Sequence, residues 1–148
     1  MKPVEPIQAG YAAFARNDPS ALFSAMDTAV TWNEAEGNPL ADRNPCVGKQ
    51  SIGEGVFGRL LAAIDGFSAV PFTFIDGGDH VVVLGRYGGT MKAGGARFDA
   101  QFCHGYHFQK WQVGLVPAVH RLGAMGKIDG VVGTSLSRLI PMSSQDAP

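Results

Sequence analysis

An imidazole set among aromatic rings can accept, donate or steer a proton, and the segment Arg97 to Gln109 contains one. Read as a strand, its alternate positions are Phe98, Ala100, Phe102, His104, Tyr106 and Phe108 on one face. The other face reads Arg97, Asp99, Gln101, Cys103, Gly105 and His107. Side chains alternate across a sheet, so the apolar set faces the interior and carries His104 with it. Burial disfavours the imidazolium, so the pKa of His104 is expected to fall unless a carboxylate lies close. Two readings follow: a pocket residue, or a core histidine whose hydrogen bonds are satisfied.

The second candidate is Glu34. Trp32 and Glu34 are two apart in a short extended stretch, Ala29 to Glu34, and so share a face. An inward indole would carry the carboxylate inward beside it, where a charge is costly without a partner or a use. Glu36, Asp42 and Asn33 read as solvated loop positions. Three other patterns carry no chemistry. Gly53-Glu54-Gly55-Val56-Phe57-Gly58 fits G-x-G-x-x-G, but it lies inside an apolar-periodic helix with no strand before it. His104 and His107 are three apart on a strand and face opposite sides. His80 and His120 lack ligand spacing, so no metal site is expected. Nothing fits G-x-S-x-G, and neither cysteine has an obvious histidine and acid set.

The elements that must position these residues are legible from periodicity. Ile7, Tyr11 and Phe14 form one helical stripe. Asn17-Asp18-Pro19 restarts the helix, with Asp18 as N-cap and Pro19 at its first position. A short second helix is expected to bury Leu22, Ala25 and Met26. After a Pro- and Asn-containing loop from Ala35 to Gly48, expected to be irregular, a third helix starts near Ser51. It buries Ile52, Val56, Phe57, Leu60, Leu61 and Ile64, and Gly66 ends it. The period then becomes two. Ser68 to Ile75, a turn at Asp76-Gly77-Gly78-Asp79, and His80 to Thr90 predict a hairpin. Ala93-Gly94-Gly95-Ala96 turns into the His104 strand. Helices followed by an antiparallel meander predict an α+β fold. Further on, Val113 to His120 could be an edge strand interrupted by Pro117. The four glycines from Gly123 to Gly133 predict an irregular or strand-like segment, not a helix.

At 148 residues the chain fits one domain, expected over residues 1–142 with a frayed tail at 143–148, and can bury about 68–70% of its unfolded surface. Hydrophobic residues make up 45% and charged residues 17%, which excludes a disordered chain. A net charge of −1, with no adjacent Lys or Arg residues, argues against nucleic acid or an anionic membrane as partner. Met1-Lys2-Pro3-Val4-Glu5-Pro6 lacks a signal-peptide core, and no stretch is long enough to span a bilayer. Cys46 and Cys103 read as two reduced thiols, so the expected location is cytoplasmic.

Several segments, in order, resemble SnoaL-like and ketosteroid-isomerase-like proteins of the nuclear transport factor 2-like superfamily. They are Ile7 to Asp18; Val30-Thr31-Trp32; Val47-Gly48-Lys49-Gln50-Ser51-Ile52; Val81 to Thr90; and Phe102-Cys103-His104. The likeness covers about residues 5–109 and departs after Gln109. It implies a cone-shaped roll, in which a curved, mainly antiparallel sheet and N-terminal helices enclose an apolar pocket, and usually a homodimer. Within such a pocket Tyr11, Trp32, Phe57, Phe102 and Tyr106 are the expected ligand contacts.

By ungapped comparison, Glu34 falls where the isomerase-like proteins keep a general-base aspartate. His104 falls where they keep a protonated acid donor. The resemblance thus implies a carboxylate base and an oxyanion donor that together shift a proton beside a carbonyl. The isomerases' helix tyrosine falls at Gly10; Tyr11 is about 100° further round the helix, a step expected to take it off the pocket face. The steroid isomerase site itself is therefore not expected. Two functions remain open. One is an enzyme of the isomerase, cyclase, dehydratase or epoxide-hydrolase kind, needing no metal or nucleotide cofactor and acting on a small apolar or carbonyl-containing molecule. The other is a non-catalytic domain for apolar-ligand binding or dimerisation. Strand His80 to Thr90 is apolar on both faces, which predicts a homodimer with sheets packed face to face.

Overall fold

The computed structural model describes residues 2–24 and 26–108, and the backbone of residues 128–132. Helix α1 (Val4–Ala15) packs its buried residues, among them Ile7, Gly10 and Tyr11, toward the sheet. Asp18 then accepts the Ala21 N–H at 3.1 Å and caps α2 (Pro19–Ser24). Strand β1 (Met26–Asn33) follows at once, so Met26 opens a strand instead of closing the second helix. Ala25, expected on that helix, lies outside the described residues. Met26 is buried, but as a β-residue paired to Ile128.

The loop after β1 is more regular than expected. Asn38 caps a 3₁₀ turn at Pro39–Arg43, accepting the Leu40 N–H at 2.9 Å, and Cys46–Val47 forms a short strand, β2, against β1. The helical run that follows has three parts: α3 (Lys49–Ile52), a π-helical turn (Gly53–Phe57) and α4 (Gly58–Ala63). It ends three residues before Gly66. Ile64 is already extended and pairs with Met91, because a buried β-branched side chain is accommodated in the ladder. Leu61, expected on the buried face, is exposed. The glycines of the G-x-G-x-x-G match serve packing: a Cβ at Gly55 would stand 3.0 Å from Cys46 Sγ.

Strands β3 (Ile64–Asp76), β4 (His80–Met91) and β5 (Arg97–His107) form the expected meander. β3 carries two register shifts, between Asp65 and Ser68 and between Pro71 and Thr73, and such bulges curve a sheet around its contents. β6 (Ile128–Val132) is extended and falls within the glycine-rich segment expected to be strand-like or irregular. The remainder of that segment lies outside the described residues, as do Val113 to His120 and the tail at 143–148. β6 runs parallel to β1 and antiparallel to β5, so the sheet order is β2-β1-β6-β5-β4-β3. This insertion brings the end of β1, with Trp32, into the same concave face as Tyr106 and His104. The result is a curved, mainly antiparallel sheet with helices closing its inner face: an α+β roll.

Candidate active site

The inner faces of β1 and β5 set the site. In β1 the buried positions are Met26, Val30 and Trp32, and Glu34 continues the alternation just past the strand end. In β5 Phe102, His104 and Tyr106 are buried while Cys103 and His107 are exposed, as the alternation predicts. These faces and α1 enclose a cavity of about 650 Å³ of atom-free space, counting its open mouth. Ile7, Phe14, Leu22, Met26, Leu60 and Phe67 supply its apolar wall.

Glu34 is 8% exposed and turns into that cavity. Trp32 donates its indole N–H to Oε1 at 2.8 Å, and Asn38 donates Nδ2–H to Oε2 at 2.8 Å. The amide of Asn38 cannot turn over without cost, since its oxygen already holds the Leu40 N–H. The Glu34 backbone is clamped as well: its N–H donates to Asn44 Oδ1 at 2.9 Å, and its carbonyl accepts Asn44 Nδ2–H at 2.7 Å. Both carboxylate partners are neutral, and among the described residues Glu34 makes no ion pair. Burial therefore pushes its pKa above the usual carboxylate range, and the indole hydrogen bond draws it only partly back.

His104 is 6% exposed and held between two hydroxyls. Tyr11 OH lies 2.5 Å from Nδ1, and Tyr87 OH meets Nε2. Tyr106 donates its hydroxyl to that of Tyr11 at 2.9 Å. Beneath the imidazole, the ring of Phe102 stacks at 4.2 Å between centroids. Gly85 makes that stack possible, because a Cβ there would stand 2.3 Å from Phe102 Cζ. Desolvation pushes the His104 pKa down to about 3, so the ring is neutral near pH 7. It then has one N–H and one lone pair, and of its two tyrosines one donates and the other accepts. Burial raises the phenols of Tyr11 and Tyr106, which stay protonated donors.

Of the residues singled out in the sequence, Tyr11, Trp32, Glu34, Phe57, His104 and Tyr106 all line this cavity. Phe102 does not; it stands behind His104 and Tyr11 as a stacking platform. One expectation is overturned. Tyr11 does not point away from the pocket: it and Gly10 both line it. The buried arc of α1 includes Ile7, Gly10, Tyr11 and Ala13, and an apolar stripe of 100° or more holds two adjacent residues. The sequence reading passed over Tyr87 and Asn38 as site residues. Tyr87 shares the inward face of β4 with Val81 and Val83, a signal that only the β4–β5 register makes specific. Asn38 was legible only as an Asn-Pro pair capping a turn.

The fold is thus an α+β roll around an apolar cavity with a few buried polar groups. A family profile described as SnoaL-like domain matches residues 7–113, and the chain belongs to that family. No curated protein matches the sequence. Among solved structures, an NTF2-like protein from Burkholderia thailandensis is similar, at 28% identity and a TM-score of 0.73, over 90% of this chain and 89% of that one. A protein from Catenulispora acidiphila with a ketosteroid isomerase-like fold, in complex with trimethylamine, is 21% identical. Its TM-score is 0.66, over 93% of this chain and 89% of that one. A Mycobacterium tuberculosis protein in complex with estradiol-17β-hemisuccinate is 14% identical, with a TM-score of 0.63, over 88% and 91% of the two chains.

Proposed function

We propose that the cavity is an active site for proton transfer beside a carbonyl or an equivalent electrophilic carbon of an apolar small molecule. That is chemistry of the isomerase, cyclase, dehydratase or epoxide-hydrolase kind. One observation carries the reading: a buried carboxylate that has no cation partner among the described residues opens into the same apolar cavity as a chain of neutral hydroxyl donors. Glu34, with its raised pKa, is the base. When Tyr87 donates to Nε2, Nδ1–H of His104 donates to Tyr11, and the Tyr11 proton is directed at the substrate oxygen. Tyr106 donates to the same Tyr11 oxygen and strengthens that donor as negative charge develops. Phe57, Trp32 and the apolar wall hold the substrate. Neither a metal nor a nucleotide cofactor is called for by this scheme.

A second reading has its own observation. Both oxygens of Glu34 already hold donors, and the tyrosine–histidine chain satisfies itself, as in a binding pocket that performs no reaction. Relatives of the same fold, one with a steroid ester and one with an amine, fit either reading. Solvent-deuterium exchange separates them. A panel of apolar cyclic ketones is incubated with the protein in D2O and followed by proton NMR. Exchange at carbons beside the carbonyl supports the enzyme, while tight binding without exchange supports the binding module.

We also infer a homodimer and a cytoplasmic location. Val70, Phe72 and Ile75 on the outer face of β3 are 60%, 61% and 50% exposed, a patch that a second sheet would cover. Among the described residues no helix is long and apolar enough to cross a membrane; Cys46 is buried and Cys103 exposed.

A further inference from the structure

Away from the cavity, the hairpin end of the sheet brings the adjacent pair Asp79 and His80 together with His107, which lies far along the chain. His80 opens β4 and His107 closes β5, and the register sets them directly opposite each other. Both occupy the outer face: their neighbours Val81 and Tyr106 are buried, whereas the two histidines are exposed. Their imidazole centroids are 4.5 Å apart. Asp79, the last residue of the turn, accepts the Phe108 N–H on its backbone carbonyl at 2.7 Å and so ties off this end of the ladder. One of its carboxylate oxygens lies 2.9 Å from His80 Nδ1. One donor atom from each of the three residues falls within 4.8 Å of the others.

We propose that Asp79, His80 and His107 form a surface site for a first-row transition cation of the zinc type. His80 and His107 are its ligands, and Asp79 holds His80 in place. The donor chemistry selects the ion class. Paired neutral imidazoles suit Zn²⁺, Ni²⁺ or Cu²⁺, whereas Mg²⁺ and Ca²⁺ demand a mostly oxygen shell. With Nδ1–H of His80 donated to Asp79, the Nε2 lone pair is presented to the ion, the carboxylate–histidine–metal arrangement that fixes tautomer and ring orientation. Donors around a tetrahedral zinc with bonds of about 2.0–2.1 Å lie about 3.4 Å apart, so the His80 ring must turn to bring its Nε2 to that spacing from a His107 nitrogen. The His80 side chain is 64% exposed and has the freedom to do so. On the same face Val82 stands opposite Gly105, where even a Cβ would meet no described residue within 4 Å. Solvent therefore has room to complete the coordination shell.

The test is calorimetric titration of Zn²⁺ into the full chain at mildly alkaline pH. One ion per chain is expected, with no competition from Mg²⁺. His107→Asn and His80→Asn should each abolish binding, and Asp79→Asn should weaken it about 10–100-fold. Cys103→Ser, which removes the exposed thiol of the same strand face, should leave it unchanged. Thermal unfolding in EDTA checks that each variant folds, since all four positions are solvent-facing or partly so. Absence of binding to the parent chain would overturn the proposal. So would unaltered binding in either histidine variant, or its loss in Cys103→Ser.

Discussion

Trp32 and Glu34, two residues apart at the end of β1, are joined through their side chains, with the indole N–H donating to Oε1 at 2.8 Å. The bond forms because strand alternation puts both on one face and because Asn44 clamps the Glu34 backbone in that continuation. A neutral donor on each carboxylate oxygen steadies the charge without neutralising it, which suits a base kept reactive in an apolar cavity.

That carboxylate makes stability depend on pH. The folded pKa of Glu34 is raised above its unfolded value of about 4.3, so its contribution is fully present below that pH. It is lost as pH rises through the higher, folded value. Glu34→Gln removes this slope: the stability difference between variant and parent should shift in favour of the variant as pH rises from about 4.3. Urea unfolding of both proteins across that range measures it.

His104 acts with the opposite sign. Its folded pKa of about 3 lies below the ~6.5 of a free imidazole, so its contribution is present above pH ~6.5 and is lost as pH falls toward 3. Above about pH 4.3, where Glu34 begins to titrate, the two slopes oppose each other. A His104→Gln variant should lack the acid-side loss. Imidazole nitrogen shifts in the parent should report a neutral ring down to pH 5.

Removing either hydroxyl from the histidine clamp strands a buried ring nitrogen. Tyr11→Phe and Tyr87→Phe should each cost about 1–3 kcal/mol. Because both act on His104, the double variant should depart from additivity by at least ~0.5 kcal/mol. Chemical denaturation of the set provides the cycle.

Gly85→Ala probes the platform under His104. Its Cβ would fall 2.3 Å from Phe102 Cζ and 2.5 Å from the Val70 carbonyl, so ring and strand must both shift. We expect about 1–3 kcal/mol of destabilisation and a perturbed His104 resonance. An unchanged melting temperature and spectrum would mean that the close approach is not required.

Phe72→Glu places a charge in the exposed patch on β3. Light scattering should find two chains per particle for the parent and one for the variant. A parent that is monomeric at tens of micromolar would remove the inferred dimer.

Legibility in the sequence followed the reach of each signal. The alternation from Phe98 to Phe108 identified the inward face of β5, because a period of two needs no knowledge of neighbours. The same rule placed Trp32 and Glu34 together. What failed depended on partners distant in the chain. Ile64 reads as the last residue of a helix until its pairing with Met91 is known. Tyr11 reads as turned away only if a helix buries a narrow edge, whereas the buried arc of α1 spans adjacent residues. The meeting of His80 and His107 is a matter of register, and no local spacing reveals it.

Glu34 as the base is tested most directly by the rate of solvent-deuterium exchange into a ketone that the parent protein turns over. The comparison is between parent and Glu34→Gln, with the dissociation constant measured alongside. The substitution keeps the shape and removes the proton acceptor. We predict exchange slowed by on the order of 10²–10⁴-fold, with ligand affinity retained. Exchange at the parent rate in Glu34→Gln, with binding intact, would contradict the assignment.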